Sequence, residues 1–419
     1  MHIDTIVLRA GYKPQNGETH TMPIYQSTTY EYTSTEYIGH LFDVPTDGHI
    51  YSRISNPTVG FVEEKIAALE GGVGCMLTTS GQMASMITVL NLCSAGDHFV
   101  SAATIYGGTI NLFATTLKRM GIHCTFVDQD ADAAQIAAAI QPNTKLLFGE
   151  MIANPAISVL DVEKFAQVAH QAGIPLVVDN TFAPTLCRPL EFGADILVHS
   201  TTKYLDGHAV QVGGAIVDGG KFDWTSGKFP DFTAPDESYH GVVYADFGAP
   251  AFIVKARMQL MRDFGALPSA QNAFLLDLGL QTLPLRMERH SRNAEKVAAY
   301  LAAQDKVEFV NYPTLPGNRY AELAAKYLPN GCAGVISFSI RGSRENAVRF
   351  MDALQMASNV VHVADIRTLV LHPASATHRQ LSDEQLLSAG ITPGLIRLSV
   401  GCEHIDDILA DIAQAMEKV

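Results

Sequence analysis

Between residues 62 and 220, short continuous apolar runs alternate with stretches of helical pattern, and this repetition limits the fold more than any other feature. The apolar runs are Cys75-Met-Leu-Thr-Thr79, His98-Phe-Val-Ser101, Lys145-Leu-Leu-Phe-Gly-Glu150, Pro175-Leu-Val-Val-Asp179, Asp195-Ile-Leu-Val-His-Ser200 and Gly214-Ala-Ile-Val217. Met83–Cys93, Thr109–Met120 and Val162–Ala172 read as the helices between them. Strands that are apolar without alternating are covered on both faces, which implies an α/β fold with a mostly parallel sheet. Ligands of such folds sit beyond the carboxyl ends of the strands. Asp179 and Ser200 stand at two of those ends.

The flanking segments differ. Residues 1–60 show no useful periodicity and are punctuated by Pro14, Pro23, Pro45 and Pro57. They cannot bury a core of their own, yet Ile24, Tyr25, Tyr30, Tyr32 and Tyr37 need somewhere to pack. We expect an arm draped over another domain or subunit. Residues 61–265 make the large domain, with an aromatic, irregular stretch over 221–255 expected to be a long structured loop. Residues 266–419 read as a smaller α+β domain. In it, a helix over Leu285–Ala302 precedes the alternating, half-buried strands Val335–Ile340 and Gly394–Val400. Ser343 is placed to cap a helix ending near Met356. Ile405, Ile408, Leu409, Ile412 and Met416 form the stripe of a closing helix.

Charge excludes some functions. The net charge is −14 with no basic run, which argues against a nucleic-acid or anionic-membrane surface. No apolar stretch is long enough to span a bilayer, and Met1-His-Ile-Asp-Thr5 lacks the pattern of a secretory signal. The six cysteines are scattered without a C-x-x-C pair, so we expect buried thiols in a reducing compartment, the cytoplasm.

Three features of the large domain carry chemistry. Thr79-Ser-Gly-Gln-Met-Ala84 is a turn from strand to helix, where free N–H groups can hold an anion. It is not a dinucleotide fingerprint, since no G-x-G-x-x-G follows a strand. Asp179 could cap a helix or sit on a surface loop; it could also pair with a heterocyclic nitrogen and keep it protonated. Lys203 follows another strand in Ser200-Thr-Thr-Lys203 and could be a solvated surface lysine. The apolar Ile196-Leu-Val198 run instead directs it into the crevice at the sheet edge. A lysine that forms an imine must react as the neutral amine, which at pH 7 costs roughly 4.6 kcal/mol from the reference pKa. A partly dry site with cationic neighbours lowers that cost.

Taken together, Gly48-His-Ile-Tyr-Ser-Arg-Ile-Ser-Asn-Pro-Thr58, Thr104-Ile-Tyr-Gly-Gly-Thr109, Asp179-Asn-Thr181, Ser200-Thr-Thr-Lys203, Leu371-His-Pro-Ala-Ser-Ala-Thr-His378 and Ile396-Arg-Leu-Ser-Val-Gly401 are diagnostic. Over nearly its whole length the chain resembles the fold-type I pyridoxal-phosphate enzymes of Cys/Met metabolism. The resemblance implies pyridoxal 5'-phosphate bound as a Schiff base to Lys203, which also shuttles protons. Asp179 would pair with the pyridine nitrogen, and Tyr106 would stack on the ring and assist proton transfer. Gly81, Gln82, Ser200 and Thr202 would hold the phosphate, and Asn154 would sit near the ring oxygen and the substrate. Arg397 would clamp the substrate carboxylate, a role its guanidinium fork suits. Tyr51 and Arg53 would reach the phosphate of a neighbouring subunit, Tyr51 also meeting its substrate. That arrangement implies active sites shared across a dimer, within a homotetramer.

Ile50-Tyr-Ser-Arg-Ile-Ser-Asn-Pro57, Pro235-Asp-Glu-Ser-Tyr-His-Gly241 and Thr282-Leu-Pro-Leu-Arg-Met-Glu-Arg-His-Ser291 look most like the O-acetylhomoserine sulfhydrylases, whose substrates are O-acetyl-L-homoserine and sulfide. Cystathionine γ-synthases and methionine or cystathionine γ-lyases are the alternatives within the family. Gly108 stands where methionine γ-lyases usually carry Cys. His362 departs from the Asn of the sulfhydrylases and the Ser of the lyases, and Ala364 and Ile366 depart nearby. Outside the family, Ser200-x-x-Lys203 matches the acyl-enzyme signature of β-lactamases, but the accompanying S-D-N and K-T-G elements do not occur. His372, His378 and His404 lack metal-ligand spacing, and no H-E-x-x-H is present, so no metal site is expected.

Overall fold

Apolar runs without alternation do become strands buried on both faces in the computed structural model, which describes residues 1–43, 48–342, 344–376 and 392–419. Among these residues the large sheet contains β1 (Gly74–Thr78), β2 (His98–Ala102), β3 (His123–Val127), β4 (Thr144–Glu150), β5 (Leu176–Asp179), β6 (Ile196–His199) and β7 (Gly214–Asp218). Their spatial order is β1-β7-β6-β5-β4-β2-β3. From β3 to β6 the pairing is parallel, whereas β7 runs antiparallel to both β6 and β1. Every residue of β2, β6 and β7 is buried, because helices cover both faces.

Local signals set the helices that matter for the cleft. The helix α1 (Ile3–Arg9) and the helix α2 (Thr35–Asp43) lie in the N-terminal segment. The sequence showed no useful periodicity here because each is too short for a stripe to stand out. The helix α3 (Pro57–Glu70) starts where the Asn56 side chain accepts from Thr58 N at 3.0 Å, with Pro57 as its first residue. It ends at Gly71, whose φ of 77° needs a residue without Cβ. The helix α4 (Gly81–Leu92) follows β1, and its cap Ser80 accepts from Met83 N at 3.1 Å. Ile24, Tyr25 and Tyr37 remain exposed on the single chain.

The 221–255 stretch is only partly the loop expected. Trp224 stacks on Phe232 with ring centroids 4.4 Å apart, and Phe229 and Phe252 close around them. From Ala251 the chain is helical, with a π-turn at Arg257–Met261. That helix shows no amphipathic stripe because Ala251–Ala256 are all buried. β3, the helix Ala133–Ala138 and the helix Ala270–Leu280, which packs on α3, are further elements without an obvious pattern.

A second sheet holds β8 (Val307–Asn311), β9 (Val335–Ile340), β10 (Ser358–Asn359), β11 (Leu369–Leu371) and β12 (Leu395–Ser399), in the order β10-β11-β12-β9-β8. The helices Leu283–Ala302 and Ile405–Met416 pack against each other, and the first of them also packs on β8 and β9. Alternation predicted half-buried strands here, yet β9 and β12 are buried at every position. Their polar face is closed by partners: Asn311 donates to Ser337 Oγ at 3.2 Å, and Ser339 Oγ to Glu308 at 3.0 Å. Pro45, the expected Ser343 cap and Thr377–His378 lie outside the described residues.

Candidate active site

The carboxyl ends of β5 and β6, the start of α4 and the face of β11 and β12 enclose one cleft of about 280 Å³. Its lining includes Gly81, Gln82, Tyr106, Asn154, Asp179, Ser200, Thr202, Lys203 and Arg397. Nearly all the residues singled out in the sequence therefore meet. At one end, α4 begins against the chain leaving β6. A Cβ on Gly81 would lie 2.7 Å from Ser200 Cβ and 2.8 Å from its Cα, so only glycine allows this approach. Among the described residues no protein acceptor takes the N–H groups of Gly81 and Gln82. A helix start with free donors beside two hydroxyl side chains is a ready anion cradle.

Lys203 sits in a turn closed by Gly207 N donating to Lys203 O at 2.7 Å. Burial, followed by the charge of Arg397, pushes its amine down to about 8. Roughly a tenth is then neutral at pH 7, far more than for an ordinary lysine. The Nζ atom lies 3.4 Å from His362 Nδ1. The hydrogen bond to Ser200 that a Ser-Lys acyl enzyme needs is absent among the described residues.

Arg397 projects from β12 and is almost wholly buried. Its Nη2 donates to His362 O at 3.0 Å and its Nη1 to Asn154 Oδ1 at 3.4 Å. Burial lowers its pKa to about 10, which leaves it charged at neutral pH. Among the described residues no carboxylate is hydrogen-bonded to it, and a buried cation of this kind is a receptor for an anionic ligand group.

Asp179 is held by Thr181, whose N and Oγ1 donate to Oδ1 at 3.0 and 2.5 Å. Its Oδ2 takes no protein hydrogen bond among the described residues. Glu150, its neighbour across the β4–β5 register, accepts from Tyr106 N at 2.6 Å. Burial and then the charge of Asp179 raise the Glu150 carboxyl well above its usual range. Burial also raises Asp179, but its Thr181 bonds and the nearby His199 oppose that shift. Of the two, Glu150 is raised further, so it holds a proton more readily than Asp179. Sequence reasoning passed over Thr181 and Glu150, although both stand inside motifs already singled out. The D-x-T spacing, typical of a side chain folding back on its own backbone, could have flagged Thr181.

Tyr106 stands half exposed at the mouth. A Cβ on Gly108 would come within 2.5 Å of its ring and 3.0 Å of Gln82 Nε2, so the glycine makes room for the ring. Thr202 is engaged elsewhere: Gly213 N donates to its hydroxyl at 3.0 Å. Tyr51 and Arg53 are not brought to Lys203 in this chain. They line a second surface cleft with Tyr25 and Ser269, where Arg53 Nη1 donates to Arg262 O at 2.6 Å.

A sequence model of the Cys/Met metabolism PLP-dependent enzymes matches residues 4–417. The chain is 44% identical to an O-acetyl-L-homoserine sulfhydrylase of Leptospira meyeri over 428 aligned residues, covering 99% of this chain and 97% of the relative. It is 46% identical to a homocysteine synthase of Schizosaccharomyces pombe, covering 99% and 98%. A crystal structure of an O-acetylhomoserine (thiol)-lyase from Campylobacter jejuni superposes with a TM-score of 0.95 at 38% identity, over the full length of both chains. That structure carries a pyridoxyl-lysine phosphate.

Proposed function

The chain belongs to the Cys/Met metabolism PLP-dependent enzymes, and from that footing we propose that it makes L-homocysteine and acetate from O-acetyl-L-homoserine and sulfide, in methionine biosynthesis. The observation that carries the reading is the convergence of Lys203, Asp179 and Arg397 on one cleft, in a chain so similar to sulfhydrylases. Gly108 adds support, because the ring of Tyr106 fills the space that a side chain there would need.

The residues present fit pyridoxal phosphate. The free N–H groups of Gly81 and Gln82, with the Ser200 hydroxyl beside them, suit its phosphate, and Thr202 would join them by giving up its Gly213 carbonyl. Asp179 Oδ2 suits the ring nitrogen, Asn154 the ring oxygen, Tyr106 the ring face, and Lys203 the carbonyl carbon. When bound, the cofactor supplies an electron-withdrawing ring that acidifies the hydrogens on Cα and then Cβ of the substrate. Arg397 grips the substrate carboxylate and so fixes which hydrogen faces Lys203. Lys203 takes the Cα proton and then a Cβ proton, and later returns both. Asp179 stays charged and keeps the proton on the ring nitrogen. The Cγ–O bond breaks with its electron pair leaving on acetate, a sulfide lone pair forms the Cγ–S bond, and the sulfide proton passes to solvent. Phe182, Val363 and Leu371, all buried, line the cleft and limit water. That matters because hydrolysis would divert the substrate to 2-oxobutyrate and ammonia.

The assembly belongs to the same proposal: a homotetramer in the cytoplasm whose active sites are completed across a dimer. The exposed Ile24, Tyr25 and Tyr37 and the separate cleft of Tyr51 and Arg53 support it. All six cysteines are unpaired, as suits a reducing compartment.

Purified enzyme with pyridoxal phosphate and O-acetyl-L-homoserine tests the reaction. Homocysteine should form only when sulfide is added. Release of 2-oxobutyrate at the same rate with or without sulfide would identify a γ-lyase instead.

A further inference from the structure

His362 approaches the reacting lysine from the second sheet. It lies between β10 and β11 on a loop fixed at several points. Ala364 N donates to Ser399 Oγ at 2.8 Å and Ile366 N to Gly207 O at 2.8 Å. Gly207 in turn closes the Lys203 turn, so the histidine loop and the lysine turn are tied through one residue. Arg397 Nη2 holds the His362 carbonyl. With its backbone fixed in this way, the ring places Nδ1 3.4 Å from Lys203 Nζ, the hydrogen-bond partner that the amine has among the described residues.

We propose that His362 is a positioning residue for Lys203: its imidazole accepts, at Nδ1, a hydrogen bond from the ε-ammonium and holds the proton-carrying lysine beside Arg397. The inference rests on the assignment of Lys203 as the proton-transferring lysine of the proposed reaction. Whenever its amine is not linked to the cofactor, Lys203 has a flexible stem and needs an acceptor when it carries a proton. Burial, reinforced by the charge of Lys203, pushes the imidazole down to about 4, so it is neutral and can accept. Among the described residues its Nε2 is buried without a protein hydrogen bond, and no carboxylate there makes the ring a base. The ring therefore accepts from the lysine rather than taking its proton. The charged and titratable groups facing the pair are Arg397 from β12, Asp365 and Arg367 from the histidine's own loop, and Glu150, Asp179 and Tyr106 across the cleft.

Two measurements on the full-length protein test this. In the first, acylation of Lys203 by acetic anhydride is followed against pH by mass spectrometry, with the cofactor removed. Circular dichroism and recovery of the cofactor spectrum on adding it back verify the fold. The wild-type midpoint should lie near 8, and His362→Leu, which removes the acceptor, should lower it by about one unit. His362→Asn, which offers an amide oxygen, should stay with the wild type. In the second, holoenzyme exchanges the α-proton of 2-aminobutyrate with deuterium. His362→Leu should slow exchange about tenfold, and kcat for the ester should fall by the same factor with KM within about twofold. Overlapping titrations of His362→Leu and wild type, or a rise in KM alone, would overturn the proposal. The Lys203 titration and the 2-aminobutyrate exchange use neither the ester nor sulfide, so a wrong sulfhydrylase reading would show in the product assay and leave these two results standing.

Discussion

Replacing Lys203 with alanine lowers homocysteine formation by about 10³-fold or more, while the protein stays folded. The loss is large because one amine is asked to do several things: anchor the cofactor, take the Cα proton, take the Cβ proton and return both. Among the described residues no other lysine lines the cleft. The fold should survive because the contacts made by the backbone of Lys203, from Lys203 N to Ser200 O and from Gly207 N to Lys203 O, do not involve its side chain. Measured kcat/KM for Lys203→Ala, with thermal unfolding beside it, checks both halves. A variant within tenfold of the wild type would show that another group performs the proton transfers.

Asp179→Asn should cost about 10²- to 10³-fold in kcat, the range seen when one strong electrostatic contact to developing charge is removed. The amide is nearly isosteric and can still accept from Thr181 at Oδ1, so packing around β5 is kept. It carries no negative charge, however, and a buried protonated ring nitrogen beside it would be unpaired. The change also removes the charge that helps raise the Glu150 carboxyl, so the proton affinity of Glu150 should fall. Steady-state kinetics of Asp179→Asn, with the cofactor saturating, tests this assignment. Retention of more than half the wild-type kcat would mean that Asp179 caps its own loop through Thr181 and does no more.

The large sheet and the main site residues were legible because their signals are local. A continuous apolar run ending in Asp179, another ending before Ser200-Thr-Thr-Lys203, and a glycine turn before α4 each declare a strand end or a helix start. Arg397 came from the resemblance, and the alternation of its strand, which turns it away from Ile396, Leu398 and Val400, agreed with it. That same alternation misled about burial: a sequence separates polar from apolar faces but cannot distinguish water from the Asn311 and Glu308 side chains that cover Ser337 and Ser339, or from the cleft that takes Arg397. The helix from Ala251 escaped because a helix buried all round carries no stripe. His362 stood out in the sequence only as a departure from the families it resembles, because its contact with Lys203 spans 159 residues and depends on how the two sheets meet. Glu150 was hidden for a similar reason, since only the β4–β5 register puts it beside Asp179.

The central claim is that Lys203 carries pyridoxal phosphate at the meeting of these strand ends. Borohydride reduction of the holoenzyme converts a carbon–nitrogen double bond between lysine and cofactor into a stable link, and proteolysis with mass spectrometry then locates it. The expected result is a pyridoxyl phosphate on the peptide containing Lys203 and on no other lysine. A label on a different lysine, or a cofactor that washes away after reduction, would contradict the assignment and the reaction built on it.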